Sequence, residues 1–133
     1  MPMEVSWFVD KRIILIRHRG VITQDELIAA YAQTNRMIAE GDAPVHVIAH
    51  MLKMRRMPIT VRALRTSLPE INDNIGWVIN VTTHPLTKMF ATIVNQLVGF
   101  KFRHVPTMDA AVQHLLHNDI SLQVDTFIDE VSL

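Results

Sequence analysis

The chain has 133 residues, enough for one hydrophobic core and too few for two. Hydrophobic residues make up 49% and charged ones 20%, a globular balance, and thirteen basic residues cancel thirteen acidic ones, so bulk electrostatics attracts neither nucleic acid nor a membrane surface. The absence of cysteine excludes disulfides, thiolate metal sites and a cysteine nucleophile.

Val5 to Val9 and Arg12 to Arg17 are short apolar, β-branched runs parted by Asp10-Lys11, the pattern of a tight antiparallel hairpin. Gly20 ends the second run. Thr23-Gln24-Asp25-Glu26 has the spacing of a capping box and predicts a helix from about Gln24 to Ala39, with Leu27, Ile28, Tyr31 and Ile38 on its apolar face and Gly41 as a left-handed terminator. Val45 to Ala49 reads as a third strand between Pro44 and a polar, basic stretch. Thr60, after Pro58, stands where it would cap a second helix through Leu64 and Leu68.

Gly76 to Val81 reads as a fourth strand, and Thr83-His84-Pro85 as a helix start with proline in the first turn. Leu86, Met89, Phe90, Ile93, Val94 and Leu97 then recur at helical spacing up to Gly99, a C-terminal cap. Lys101 to Val105 makes a fifth strand. Thr107 opens a last helix carrying Met108, Ala111, Val112, Leu115 and Leu116 and ending near Asn118. No apolar run approaches the ~20 residues of a spanning helix, and Met1-Pro2-Met3-Glu4 lacks the features of an export signal, so a cytoplasmic location is expected.

The order β-β-α-β-α-β-α-β-α predicts a single α/β domain over residues 1–118, built on a mixed sheet that is mostly parallel with one antiparallel strand. Residues 119–133 form an acidic, apolar tail without Lys or Arg. Its apolar side chains leave three fates: docking on the same chain, exchange within a homodimer, or disorder.

Ligands of such sheets gather beyond the carboxyl ends of the strands, which selects a rim of Arg17, His18, Arg19, His50 and His84 as candidate ligand-binding residues, with Thr107 beside them. Three imidazoles from distant parts of the sequence would meet there, as zinc ligands, as a general base, or without chemistry as a helix cap (His84) and solvated loop residues (His18, His50). No His-Glu-x-x-His spacing is present, so no metal ligand, catalytic residue or cofactor is assigned. His46 shares a strand face with Ile48 and His50 and reads as a neutral ring bonded to neighbouring backbone or lying at the strand's entry. His104, His114 and His117 read as surface residues.

Between Asp42 and Glu70 the charges are all basic: Lys53, Arg55, Arg56, Arg62 and Arg65, interleaved with Met51, Met54 and Met57. This is either a partner-binding patch of long, adaptable side chains or a solvated connector whose methionines reach the core. With no aromatic stacking residue in it, nucleic acid is not the expected partner. The nucleophile elbow, the phosphate-binding loop and the dinucleotide fingerprint are all missing, which excludes nucleotide enzymes of the common kinds.

Ile16-Arg17-His18-Arg19-Gly20-Val21-Ile22-Thr23-Gln24-Asp25-Glu26-Leu27, Gly76-Trp77-Val78-Ile79-Asn80-Val81 and the stretch Phe100 to Val112 with its paired Ala110-Ala111 carry a resemblance. In these stretches and in element order the chain resembles the STAS superfamily, in particular its SpoIIAA-like branch, the relatives of bacterial anti-sigma-factor antagonists. The resemblance implies a small cytoplasmic regulatory domain that works by binding another protein, or occasionally a small ligand, rather than as an enzyme. It also implies a phosphorylated Ser or Thr at the start of the helix after strand three. Here the stretch His50 to Thr60 has no Ser, and its one hydroxyl, Thr60, is equally explained as a cap. The reading is therefore a non-enzymatic interaction module using the rim, the basic segment and the tail. The alternatives are a binder of a small anionic or lipid-like ligand at the rim, and a histidine-based metal protein or hydrolase.

Overall fold

The computed structural model describes residues 3–56 and 70–122. Thr60, Arg62, Arg65, the helix expected from Thr60 and the tail beyond Leu122 lie outside the described residues. β1 (Met3–Val9) pairs antiparallel with β2 (Ile13–Val21), and Lys11, at φ 64°, takes the left-handed position in their turn. β3 (Val45–Arg56), β4 (Ile75–Val81) and β5 (Lys101–Val105) follow, each parallel to its predecessor, in the order β1-β2-β3-β4-β5. The expected mixed sheet with one antiparallel member is thus present.

Helices α1 (Gln24–Glu40), α2 (Pro85–Val98) and α3 (Met108–Asn118) cover both faces. Ile14, Ile16, Val47 and Val78 share one core with Leu27, Ile38 and Val94 of α1 and α2. Ile13, Leu15, Ile48 and Ile79 share the other with Ala111 and Leu115 of α3. Burial on both faces is why Ile13 to Ile16 is continuously apolar instead of alternating.

The helix ends follow local chemistry, with one departure. Thr23 accepts the Glu26 amide at 3.2 Å and its hydroxyl donates to the Glu26 carboxylate at 2.8 Å, so α1 begins where the capping residues place it. Gly99 closes α2 at φ 82°, a conformation that side chains disfavour. Gly41, in contrast, is not left-handed: its φ is −84°, and it is needed because a Cβ there would lie 2.6 Å from Val45 and 2.8 Å from the Lys11 carbonyl.

β3 is much longer than the expected Val45 to Ala49. It continues through Arg56 because β2 also continues past Arg17 and supplies partners for Lys53, Met54 and Arg56. The basic stretch up to Arg56 is therefore strand, not connector.

At the opposite end of the sheet, near the starts of β2 and β3, a polar junction ties the segment after α3 to the domain. Asp119 accepts from Arg12 at 3.1 Å and from His46 Nε2 at 2.8 Å, while Ser121 accepts from Arg12 at 2.7 Å and donates to Asp119 at 2.6 Å. The Trp77 amide donates to His46 Nδ1 at 2.9 Å, which fixes the proton on Nε2 and the ring as neutral. Burial pulls the His46 pKa below its ordinary value despite the pull of Asp119 in the other direction. Burial pushes the Asp119 carboxyl up, but bonds from Ser121 and His46 outweigh it and hold the group below the usual range. Leu122, fully buried beside Leu115, completes the attachment, so the start of the tail docks on its own chain.

Candidate ligand-binding rim

Because β2 to β5 run parallel, their carboxyl ends share one pole. Pairing sets Glu4, Arg17, His50, Val81 and Val105 in one row across the sheet. Strict alternation along β3 would send Lys53 to the face opposite His50. A bulge prevents this: Arg17 to Arg19 on β2 spans the same ladder as His50 to Lys53 on β3. The extra β3 residue returns Lys53 to the face of His50 and sets it directly across from Arg19.

The result is a cleft of about 510 Å³ on the α3 side of the sheet. Arg17, Arg19, His50 and Lys53 line it together with Phe8 and Leu15 from the sheet and Met108, Asp109 and Val112 from α3. Burial, then the positive charges of Arg17, Lys53 and Arg19, hold the His50 pKa below its ordinary value, so the ring is mainly neutral at pH 7.

The sheet divides the expected rim in two. His18 points to the other face and is 1% exposed, with its Nδ1–H donating to the His50 carbonyl at 3.2 Å. It is a core residue rather than a surface ligand. His84 occupies the N-cap position of α2 without making a side-chain cap bond, and lines a second cleft of about 540 Å³. Met51, Leu52, Met54, Arg55, Leu86, Met89 and Phe90 share that cleft. The three rim histidines therefore do not converge, and among the described residues no group of three or more His, Asp or Glu is placed to hold a metal. Arg56 ends β3 at the same pole.

Burial lowers the His18 pKa from 6.5 to about 4, against the smaller opposing effect of its backbone hydrogen bonds. A folded-state value below the unfolded one means that the unfolded chain binds the proton first. The stability His18 contributes is therefore complete above pH ~6.5 and is lost progressively as the pH falls toward 4, by about 3 kcal/mol in all. Urea midpoints recorded across this window should fall steeply in the parent and less in His18→Gln; equal slopes would remove His18 from the account.

Other histidines also depart from the surface reading. His104 Nε2 donates to the Thr92 hydroxyl at 2.7 Å, since that hydroxyl's own proton goes to the Lys88 carbonyl, and His114 meets Trp77 edge-on at 4.7 Å between centroids. His117 is exposed, as expected. Two polar features escaped the sequence reading. One is the Arg12–Asp119–His46 junction. The other is a buried amide pair in which Asn80 donates to Asn95 at 2.8 Å between β4 and α2. The available signal was Asn80 within Val78-Ile79-Asn80-Val81 and Asn95 within an apolar helix, two amides that share the burial of their neighbours.

α2 does not bury the whole stripe that its sequence presents. Ala91, Val94 and Asn95 face the sheet, while Leu86, Met89 and Ile93, at i, i+3 and i+7, are 65%, 57% and 38% exposed. Leu52 of β3, 43% exposed, lines the same cleft as Leu86 and Met89. No helix among the described residues is long and apolar enough to cross a membrane.

No protein-family model matches the chain, and no curated protein sequence does. Among solved structures the chain is similar to an uncharacterised protein of the DUF3478 family with a SpoIIAA-like fold from Shewanella loihica, at a TM-score of 0.60 and 12% identity over 85% of this chain and 91% of that one. The chain has a SpoIIAA-like fold, in agreement with the resemblance read from its strand and helix starts.

Proposed function

We propose that the chain is a non-enzymatic interaction module that docks a protein partner on the α2 side of its strand-end rim. One observation carries the reading: Leu86, Met89 and Ile93 form an apolar stripe on the solvent side of α2, continued by Leu52. Scattered exposed apolar residues are ordinary, but a contiguous set beside a cleft marks a contact surface. Arg55, exposed at the edge of that cleft, suits a partner that sets a carboxylate beside an apolar patch. The SpoIIAA-like fold supports the reading, since the resemblance implies binding to another protein in the cytoplasm. The phosphoswitch it implies has only Thr60 to act on and is not proposed.

The test is capture from the native cell with tagged parent and with Leu86→Asp/Met89→Asp. Both side chains are already in water, so the variant should melt within a few degrees of the parent, yet recover its partner at least about tenfold less well. Arg55→Glu should give a smaller loss, about fivefold. The same partner captured equally by parent and double variant overturns the proposal.

A further inference from the structure

The opposite cleft carries a separate inference: we infer that the α3-side cleft binds a small phosphomonoester with an apolar body. It does not rest on the docking surface above, from which the sheet separates it.

Like charges set directly across a strand pair repel, and Arg19 and Lys53 are such a pair, with Arg17 two residues from Arg19 on the same face. The bulge in β3 is what brings Lys53 there, so the clustering is built into the backbone rather than left to side-chain drift. Two carboxylates face the cluster: Asp109 from α3, and Glu4 from β1, which lies 3.8 Å from Arg19 in an exposed pair. Neither forms an ion pair with Arg17 or Lys53, and no other carboxylate among the described residues does. Three cations against two carboxylates leave the cleft with a net charge of +1, and Arg17 and Lys53 have no carboxylate in ion-pair contact among the described residues.

A phosphoryl group offers oxyanions to both of those cations at once, and two guanidinium groups supply the forked donors that oxyanions accept. His50, between Arg17 and Lys53, contributes one more donor. The floor beneath the charges is apolar, formed by Phe8 and Leu15, with Met108 and Val112 opposite. Inorganic phosphate would leave that wall unused, whereas a phosphomonoester of an aromatic or branched alcohol fills both halves. The cleft's volume lies within the range of small-molecule sites.

The test uses phenyl phosphate as the probe, followed by NMR of the full chain. Saturable shifts should be confined to residues around Leu15, His50, Met108 and Val112, weaker with inorganic phosphate and missing with benzyl alcohol. Binding should raise the pH at which the His50 ring titrates, because the added anion offsets the field of Arg17, Arg19 and Lys53 while Asp109 and Glu4 are unchanged. Arg17→Gln/Lys53→Gln should weaken binding more than about tenfold with folding intact, since both side chains are exposed. Glu4→Gln should strengthen it about threefold by releasing Arg19. An absence of saturation up to about 10 mM probe, shifts spread over other surfaces, or equal binding by parent and double variant would each overturn the inference. None of these outcomes bears on the Leu86 and Met89 surface.

Discussion

Asp119→Ala is expected to destabilise the domain by about 3–5 kcal/mol, the cost of removing one partner from a largely buried charged network. The Asp119 and Arg12 side chains are only 13% and 10% exposed, so neither the guanidinium nor the His46 Nε2–H can turn fully to water once the carboxylate is gone. The loss also frees the segment that carries Leu122 into the α3-side core, so its effect extends beyond the polar contacts. Ser121→Ala removes two links of the same network, to Arg12 and to Asp119, but leaves the carboxylate paired with Arg12 and His46, and should cost about 2 kcal/mol. Urea denaturation of the two variants measures both, and a loss below 1 kcal/mol for Asp119→Ala would show that the junction contributes little.

The junction also has a pH signature. Asp119, held below its ordinary value, contributes stability that is present above pH ~3.8 and lost as pH falls through its folded value. His46, kept neutral, contributes stability that erodes from pH ~6.5 downward. Acid therefore weakens the junction from both sides, in sequence.

Gly76→Ala is the second large effect, about 3 kcal/mol, and comes from space rather than charge. A Cβ at Gly76 would lie 2.5 Å from His46 Nδ1 and 2.7 Å from its Cε1. The ring cannot retreat, because Nδ1 is held by the Trp77 amide and Nε2 by Asp119. A double-mutant cycle separates this collision from any general loss of strand propensity. In a His46→Ala background the two shortest contacts are gone and only Pro44 Cβ, at 3.1 Å, stays close, so Gly76→Ala should cost at least about 1.5 kcal/mol less than in the parent. Additive costs would place its effect elsewhere.

Much of the fold was legible because the relevant signals are local. Thr23 with Glu26, Pro85 at the first turn of α2, Gly99 after it and Thr107 before α3 act within a few residues of chain, and each stands at the helix end it specifies. The doubly buried strands were legible in Ile13 to Ile16 for a similar reason, since apolar runs record burial whatever covers it. Gly41 and β3 were less legible because their answers come from other elements: Val45 and Lys11 crowd Gly41, and the continuation of β2 extends β3.

The candidate site shows the same division more sharply. Sequence alone determined that Arg17, Arg19 and His50 lie on adjacent parallel strands toward one pole, because alternating strands and helices force parallel connections, although it ended those strands at Arg17 and Ala49 where the structure carries them to Val21 and Arg56. It also determined that a basic segment follows. Only the tertiary structure decided that Lys53 joins the arginines while Arg55 serves the other face, that His18 turns into the core, and that half of the α2 stripe stays in water. His18 follows Arg17 by alternation along β2, but the other outcomes depend on two register shifts between β2 and β3, at Arg17/Arg19 and at Gly20/Val21, and on the rotation of a helix about its axis. Either reverses which side a residue faces without changing the pattern of residue types along the chain, because facing is set by the partner strand and by packing against the sheet.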